Sequence, residues 1–270
     1  MNKATNAYCP TGEIEKIFVN CIWKLSENAM HERKEIILPK GTVEIIFNFS
    51  EPIRYINPSL KISSVLPSVF INGINFKPFE LLKTGRQEFL GIQINAIGLR
   101  LLFDIPAVEL NNGVYEGKYV CTQLNSLYEK LFCAQSFYRQ VDIILAWIRK
   151  RVPVLDCKHS VDRARKLLNE NCGNGQSVKQ LSEALCLSDR QLRRFCRDWL
   201  GMNTEDFIHY NRYLRSLQCL HHSSQCLTRV GIDSGYFDQS HFIREFRFYT
   251  GMTPRQYRLA NKELPGHIFI

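Results

Sequence analysis

Two stretches in the second half of the chain share one hydrophobic and polar pattern, fifty residues apart. The first apolar stripe consists of Leu192, Phe195, Cys196 and Trp199, and the second consists of Phe242, Phe246 and Tyr249. Apolar residues at positions i, i+3, i+4 and i+7 predict a helix with one buried face. Polar residues follow similar spacing two positions earlier, about 200° round the helix, so we expect them on the opposite, outer face.

Signals for helix ends, and for a shorter helix before each copy, complete a repeated unit. Ser188 and Asp238 are favourable N-caps, and Gly201 and Gly251 suit the left-handed residue that ends a helix. The shorter helices are predicted from Val178, Leu181 and Leu185, and from Leu227 and Val230. A helix, a tight turn and a polar-faced helix form the pattern of a helix-turn-helix. We therefore predict units at about 177–200 and 225–250.

The outer faces of the two longer helices predict contacts with double-stranded DNA. The predicted DNA-binding residues are Arg190, Arg193, Arg194, Arg197, Gln239, Ser240, Arg244 and Arg247. Arginine suits both phosphate contact and bidentate recognition of guanine in the major groove. Of the eight, Arg197 and Arg247 are expected at phosphate and the others at the groove. A single cationic helix would be read as a solvated surface, but two copies in one frame favour DNA.

The helix between the two units sets their separation. Residues 204–222 carry an apolar stripe and predict a helix of nineteen residues. At about 1.5 Å per residue this helix spans roughly 28 Å, close to the roughly 34 Å between successive turns of one groove. One chain is therefore expected to reach two adjacent groove segments.

Residues 162–258 resemble the DNA-binding domain of AraC/XylS-type transcription regulators. The resemblance rests on residues 187–194, Gly201 and Met202, Arg212, residues 235–246 and residues 251–258. It implies seven helices that carry two helix-turn-helix units, with their recognition helices in successive major grooves. Four positions depart from the family pattern: Cys196 replaces the usual Phe, and Ser182, Ser216 and Gly231 replace the usual Ala.

The N-terminal part predicts an antiparallel β barrel or sandwich with helices, which makes the chain an α+β protein of two domains. Strands are predicted at 17–23, 42–49, 68–72, 79–83 and 88–95, with Thr84 and Gly85 as a turn, and helices at 97–103, 123–132 and 136–151. Residues 39–100 resemble the cupin-like sensor domain of one subgroup of these regulators. We predict a sensor or dimerisation domain at 1–152, a linker at 152–157 and the DNA-binding domain at 158–262.

No residue pattern in the N-terminal part indicates catalysis or a bound metal. Residues 32–158 contain no histidine, whereas a metal-binding cupin needs a histidine and carboxylate cluster. We expect Glu44, Glu80 and Glu88 to be solvated, and neither an enzyme nor a cofactor is predicted. The apolar strand residues fit either a filled core or a ligand pocket, and a filled core is favoured. They are Ile46, Phe47, Phe70, Phe89 and Ile94. No effector-binding residue is assigned.

Charge and cysteine content agree with a DNA-binding protein of the cytoplasm. The formal net charge is +9. Residues 151–270 carry 18 basic and 12 acidic residues, whereas residues 1–150 carry 17 basic and 14 acidic residues, so the C-terminal part is the more basic one. The chain lacks an apolar run of the roughly 18 residues that a membrane helix needs, and its N-terminus lacks a signal-peptide pattern. Its ten cysteines form no CxxC pair, so they are expected to be reduced. A redox pair of Cys219 and Cys226 stays open.

These observations predict a sequence-specific, DNA-binding transcription regulator of the AraC type. RNA polymerase, a small-molecule effector and a second copy of the chain are partners that the sequence leaves open. It also leaves open the operator, the target genes, and activation against repression. One alternative is a DNA-repair protein in which a cysteine takes up an alkyl group, which would need a cysteine-zinc cluster. The other is an effector-free DNA-binding protein whose N-terminal domain only dimerises.

Overall fold

The computed structural model describes residues 3–152, 158–169, 177–260, 262 and 264–270. The strands are β1 Lys3–Tyr8, β2 Val19–Ile37, β3 Val43–Asn48, β4 Arg54–Asn57, β5 Ile62–Val65, β6 Val69–Asn72, β7 Phe79–Ile94, β8 Val114–Glu116 and β9 His267–Phe269. The helices are α1 Ala96–Phe103, α2 Gly117–Val120, α3 Gln123–Phe132, α4 Phe137–Arg151, α5 Lys158–Asn169, α6 Val178–Leu185, α7 Asp189–Leu200, α8 Thr204–His222, α9 Leu227–Asp233, α10 Gln239–Thr250 and α11 Pro254–Leu259. The predicted two-domain α+β class is confirmed.

The N-terminal domain is built on one antiparallel sheet, to which all the described strands belong. The order along its main path is β1, β2, β7, β3, β6 and β8, and the two long strands β2 and β7 form its centre. Strand β3 shows how the sheet separates two environments. Val43, Ile45 and Phe47 belong to the core beneath α1, α3 and α4, whereas Glu44 and Ile46 face the other side. Side chains alternate between the two faces of a strand, so β3 contributes to the core on one face of the sheet and lines a cavity on the other.

The predicted break between two strands at Thr84 and Gly85 is wrong. Strand β7 runs without interruption from Phe79 to Ile94, and Gly85 lies within it at a φ of 68°. The pairing of β2 with β7 shifts its register between Ala29 and Arg33, opposite this glycine. A glycine with positive φ inside a strand is typical of a β-bulge. The strand continues because β2 pairs with it on both sides of the irregularity.

The last residues of the chain return to the N-terminal sheet. Strand β9 pairs antiparallel with β2, with His267 opposite Ile37 and Phe269 opposite Glu35. Ile268 is buried, and the Arg33 guanidinium lies 3.9 Å from the centre of the Phe269 ring. A three-residue strand has no periodicity of its own, so the sequence did not predict it. The C-terminal domain is thus tied to the N-terminal sheet beyond its predicted end at residue 262.

The predicted helices of the C-terminal domain are confirmed, because local caps fix their ends. The Ser188 side chain accepts a hydrogen bond from the backbone of Gln191 in a capping box, and Asp238 caps α10 through His241. Gly201 and Gly251 end α7 and α10 at φ values of 76° and 74°. Of the predicted linker, residues 153–157 lie outside the described residues.

Helix α8 is packed against the N-terminal domain through two tyrosines. The Tyr210 hydroxyl accepts a hydrogen bond from the backbone of Gly41 at 3.0 Å and donates one to the Asn75 carbonyl at 2.8 Å. The Tyr213 hydroxyl donates to the Pro39 carbonyl at 2.9 Å. Both tyrosines are buried, so these bonds form away from water. They fix the central helix of the C-terminal domain to the N-terminal domain.

Candidate nucleic-acid interface

The four arginines of α7 lie on the outer face of the helix. Arg190, Arg193, Arg194 and Arg197 are all exposed, whereas Leu192, Cys196 and Trp199 are buried. The Arg194 side chain is 85% exposed, and its nitrogen lies 3.8 Å from a carboxylate oxygen of Asp198. Arg193 donates a hydrogen bond to Glu205 at 3.0 Å. Such exposed pairs contribute little to stability, so both guanidiniums are accessible to a phosphate or a base.

Helix α10 presents the second set of predicted residues in the same way. Gln239, Ser240, Arg244 and Arg247 are exposed, and the apolar residues of the stripe are buried. Ser240, Arg244 and Arg247 line a shallow depression together with Ile243 and Phe248. The structure therefore brings the predicted residues together as two sets, one on each helix. Their contacts with DNA remain a prediction.

A partly buried ion pair holds α10 against α8. Arg212 contacts both oxygens of the Glu245 carboxylate, at 3.1 and 2.7 Å, and His209 lies 2.8 Å from the same group. Burial alone would raise the pKa of Glu245, but the hydrogen bonds from Arg212 and His209 lower it below its usual value. His241 is half-buried beside this pair, which favours packing over DNA contact. Sequence reasoning singled out Arg212 but missed Glu245, because their contact joins two helices.

A cavity of about 750 Å³ lies between the sheet, α8 and the C-terminal residues. Ile46, Phe70 and Phe89 line it, whereas Phe47 and Ile94 pack in the core on the other face of the sheet. The prediction of a filled core is therefore wrong for the first three residues. The alternation along the strands was predicted correctly. The sequence could not show that α8 and the C-terminal residues enclose a cavity against this face of the sheet. A cavity of this size is typical of small-molecule sites.

Charged side chains line one part of the cavity. Glu44 is buried and pairs with Lys40 at 3.0 Å, so the prediction that it is solvated is wrong. Burial would raise the pKa of Glu44, but the Lys40 ammonium lowers it below its usual value. Glu80 and Glu88 are half-buried and pair with lysines instead of standing free. Glu44 lies between apolar residues of β3, a pattern that predicts a side chain facing solvent. In the structure, α8 and the C-terminal residues cover this face of the sheet.

Comparison with known proteins identifies the C-terminal domain. Residues 181–260 match the family model of a helix-turn-helix domain, and the match extends over both predicted units. The curated relatives that match the chain are named helix-turn-helix transcriptional regulators. The C-terminal domain is an AraC-type helix-turn-helix domain. Residues 8–116 match a second model, described as a domain of unknown function, DUF6597.

The curated relatives are similar to this chain over only part of their length. The regulator ArgR of Pseudomonas aeruginosa is 26% identical over 125 residues, which are 45% of this chain and 37% of ArgR. The activator RhaR of Escherichia coli is 32% identical over 85 residues, which are 32% of this chain and 30% of RhaR. The chain thus spans about a third of the length of these relatives.

Solved structures share the fold over both domains. ToxT from Vibrio cholerae with a bound unsaturated fatty acid has a TM-score of 0.51 and 10% identity, with 95% of this chain and 94% of ToxT covered. Another ToxT structure has a TM-score of 0.50 and 11% identity, with 96% and 98% covered. The arrangement of an antiparallel sheet domain before a helical domain is therefore shared with ToxT.

Cysteines and metal-binding groups do not add a second site to the part of the chain that the structure describes. The cysteines there are free thiols, including Cys219 and Cys226, while Cys157 and Cys172 lie outside it. Within the same ranges, no group of three or more His, Cys, Asp or Glu residues is placed to hold a metal ion. No described helix is long and apolar enough to cross a membrane.

Proposed function

We propose that this protein is a sequence-specific, DNA-binding transcription regulator. The observation that carries the proposal is the pair of capped helices, α7 and α10, whose outer faces expose eight DNA-binding candidates. Helix α8, nineteen residues long, separates the two units. At about 1.5 Å per residue it spans roughly 28 Å, which suits successive major grooves on one side of a duplex. The names of the curated relatives support the same function.

We also propose that a small effector binds in the cavity and alters DNA binding. Two features support this role. Leu217 and Gln218 of α8 belong to the cavity wall, so its contents touch the helix that joins the two units. ToxT, which shares the fold, has been solved with an unsaturated fatty acid. Homodimerisation and contact with RNA polymerase are further expectations of this role.

Selection of bound sequences from a random duplex pool, followed by anisotropy titrations, tests DNA binding. The full chain is expected to bind a selected duplex at least 10³-fold more tightly than random duplex. The logarithm of the affinity should fall linearly with the logarithm of the salt concentration. A chain that binds no duplex at low salt, or that enriches no sequence, contradicts the proposal.

Replacement of Arg194 by alanine is expected to relax base preference at one position. Its guanidinium is 85% exposed, so the change removes a surface contact and leaves the helix intact. The cost in binding free energy to the selected duplex is expected to be roughly 1–3 kcal/mol. Competition titrations against single-base variants of the duplex measure it.

Arg165→Ala is the matched control, since Arg165 is exposed on α5, outside both units. It should leave base preference unchanged. Equal losses of Arg194→Ala on selected and random duplexes would assign Arg194 to phosphate contact only.

A further inference from the structure

Seven charged or polar side chains form a continuous chain of contacts beside the cavity. In order they are Arg33, Glu27, Lys83, Glu35, His267, Lys40 and Glu44, joined by distances of 3.1, 3.7, 2.5, 2.6, 3.0 and 3.0 Å. His267 of β9 joins the two halves, because its ring contacts Glu35 on one side and Lys40 on the other. The C-terminal residues thus complete a network whose other members come from the N-terminal domain.

This network is electrically balanced without a ligand. It contains the carboxylates of Glu27, Glu35 and Glu44 and three cations, and each lysine lies within 4 Å of a carboxylate. Burial, with Lys40 adjacent, lowers the pKa of His267, so the ring is neutral at pH 7. A neutral ring fits both contacts, with Nδ1 donating to Glu35 and Nε2 accepting from Lys40. Burial also raises the pKa of the Cys21 thiol to about 11, so this cavity residue adds no charge.

A ligand with a charged head would disturb this balance. Nearly all charged groups that line the cavity among the described side chains are buried, so solvent screens them weakly. A fourth carboxylate would have to compete with Glu44 or Glu35 for a lysine that is already paired. An ammonium group would likewise lack an unpaired carboxylate. An unpaired charge in such a site is costly, whereas a neutral polar head is not.

The rest of the cavity suits a ligand with an apolar body and one hydrogen-bonding head group. Its floor is the cluster around Ile53, Leu66, Phe70, Phe79 and Phe89. Thr42 lines the cavity, and its buried hydroxyl oxygen has no hydrogen-bond partner among the described residues. A buried hydroxyl without a partner costs free energy that a polar ligand group would recover.

We propose that the cavity takes an uncharged amphiphile, with a hydroxyl or amide head at Thr42 and an apolar body on the aromatic floor, in preference to a carboxylate or an amine. This inference names the ligand class for the effector role proposed above and rests on that role. The charge balance distinguishes the ligand from a free fatty acid.

Four probes with the same ten-carbon chain test the preference: 1-decanol, decanamide, decanoate and decylamine. Binding to the full chain is followed by tryptophan fluorescence, since Trp23 lines the cavity and the chain's other two tryptophans do not. Decanol and decanamide are expected to bind at least tenfold more tightly than decanoate and decylamine at pH 7. Trp23→Phe should abolish the fluorescence change while the thermal shift caused by decanol persists.

A change of one carboxylate should reverse the preference. In Glu44→Gln the Lys40 ammonium loses the carboxylate at 3.0 Å, so a ligand carboxylate can pair with it. Decanoate affinity is expected to rise at least tenfold, to that of decanol or above. The matched control is Glu88→Gln, because Glu88 pairs with Lys24 and does not line the cavity. This control should keep the order of the unaltered chain.

Decanoate that binds the unaltered chain as tightly as decanol overturns the proposal, and so does the absence of binding by all four probes. An unchanged order in Glu44→Gln overturns the role of charge balance. Anisotropy with the selected duplex, measured on the same samples, distinguishes a failure of the proposed ligand class from a failure of the proposed effector role. DNA binding that is insensitive to decanol removes the effector role, even if the order of affinities is as expected.

Discussion

Phe246→Ala is expected to destabilise the AraC-type domain by about 3–5 kcal/mol, because it opens a cavity in the aromatic core. Phe246 is fully buried, and its ring centre lies 5.7 Å from those of both Tyr213 and Tyr257. The residue is on α10, so its loss should also release the second recognition helix from α8. A urea titration followed by circular dichroism, with anisotropy on the selected duplex, measures both effects. We expect specific DNA binding to be lost while weak binding to random duplex remains.

Phe237→Ala is the control for this prediction. Phe237 lies in the turn before α10 and is 92% exposed, so the same chemical change opens no cavity. The expected change in stability is below about 0.5 kcal/mol. Equal effects of the two substitutions would mean that Phe246 is not part of a packed core.

Glu35→Gln is expected to lower the free energy of unfolding by about 3–5 kcal/mol at pH 7, because it breaks a buried ion pair and leaves Lys83 poorly compensated. Glu35 is buried, with Lys83 at 2.5 Å and His267 at 2.6 Å. Since His267 belongs to β9, the substitution should also weaken the attachment of the C-terminal residues. Unfolding in urea at several pH values measures the effect.

The pH dependence of this difference has a definite sign. Burial would raise the pKa of Glu35, but Lys83 and His267 lower it well below its ordinary value of 4.5. A carboxylate whose pKa is depressed in the folded state stabilises the protein at pH values above its ordinary pKa. This contribution to the free energy of unfolding is lost as the pH falls below that value. The difference in free energy of unfolding between the unaltered chain and Glu35→Gln should therefore be constant near neutral pH and become smaller below about pH 4.5. A gap that widens in acid contradicts this account.

The control is Glu80→Gln on the neighbouring strand. Glu80 pairs with Lys34 at 2.8 Å, but the two side chains are 22% and 38% exposed. An ion pair that solvent still reaches contributes about 0–1 kcal/mol, so the substitution should have a much smaller effect than Glu35→Gln.

Local signals explain why the AraC-type domain could be predicted from the sequence. The predicted helix at 204–222 agrees with α8 at both ends, and an N-cap begins each recognition helix. Caps, stripes and terminating glycines act within a few residues of one another. The outer faces followed from the same periodicity, which is why the eight candidates are found exposed.

The cavity and its network depend on contacts between distant parts of the chain. Glu35 and His267 are 232 residues apart, and β9 exists only because β2 offers a free edge. Glu44 was expected in solvent because nothing near it in sequence shows that α8 and the C-terminal residues cover that face. Gly85 was taken for a turn for a related reason, since only its pairing with β2 shows that the strand continues.

Hydroxyl-radical footprinting of the full chain on a selected duplex tests the central claim most directly. We predict two protected segments on one face of the duplex, about one helical turn apart, for each bound chain. Alanine at Arg190 and Arg194 should remove protection from one segment, and alanine at Ser240 and Arg244 from the other. A single protected segment, or protection that these changes leave intact, would contradict the account.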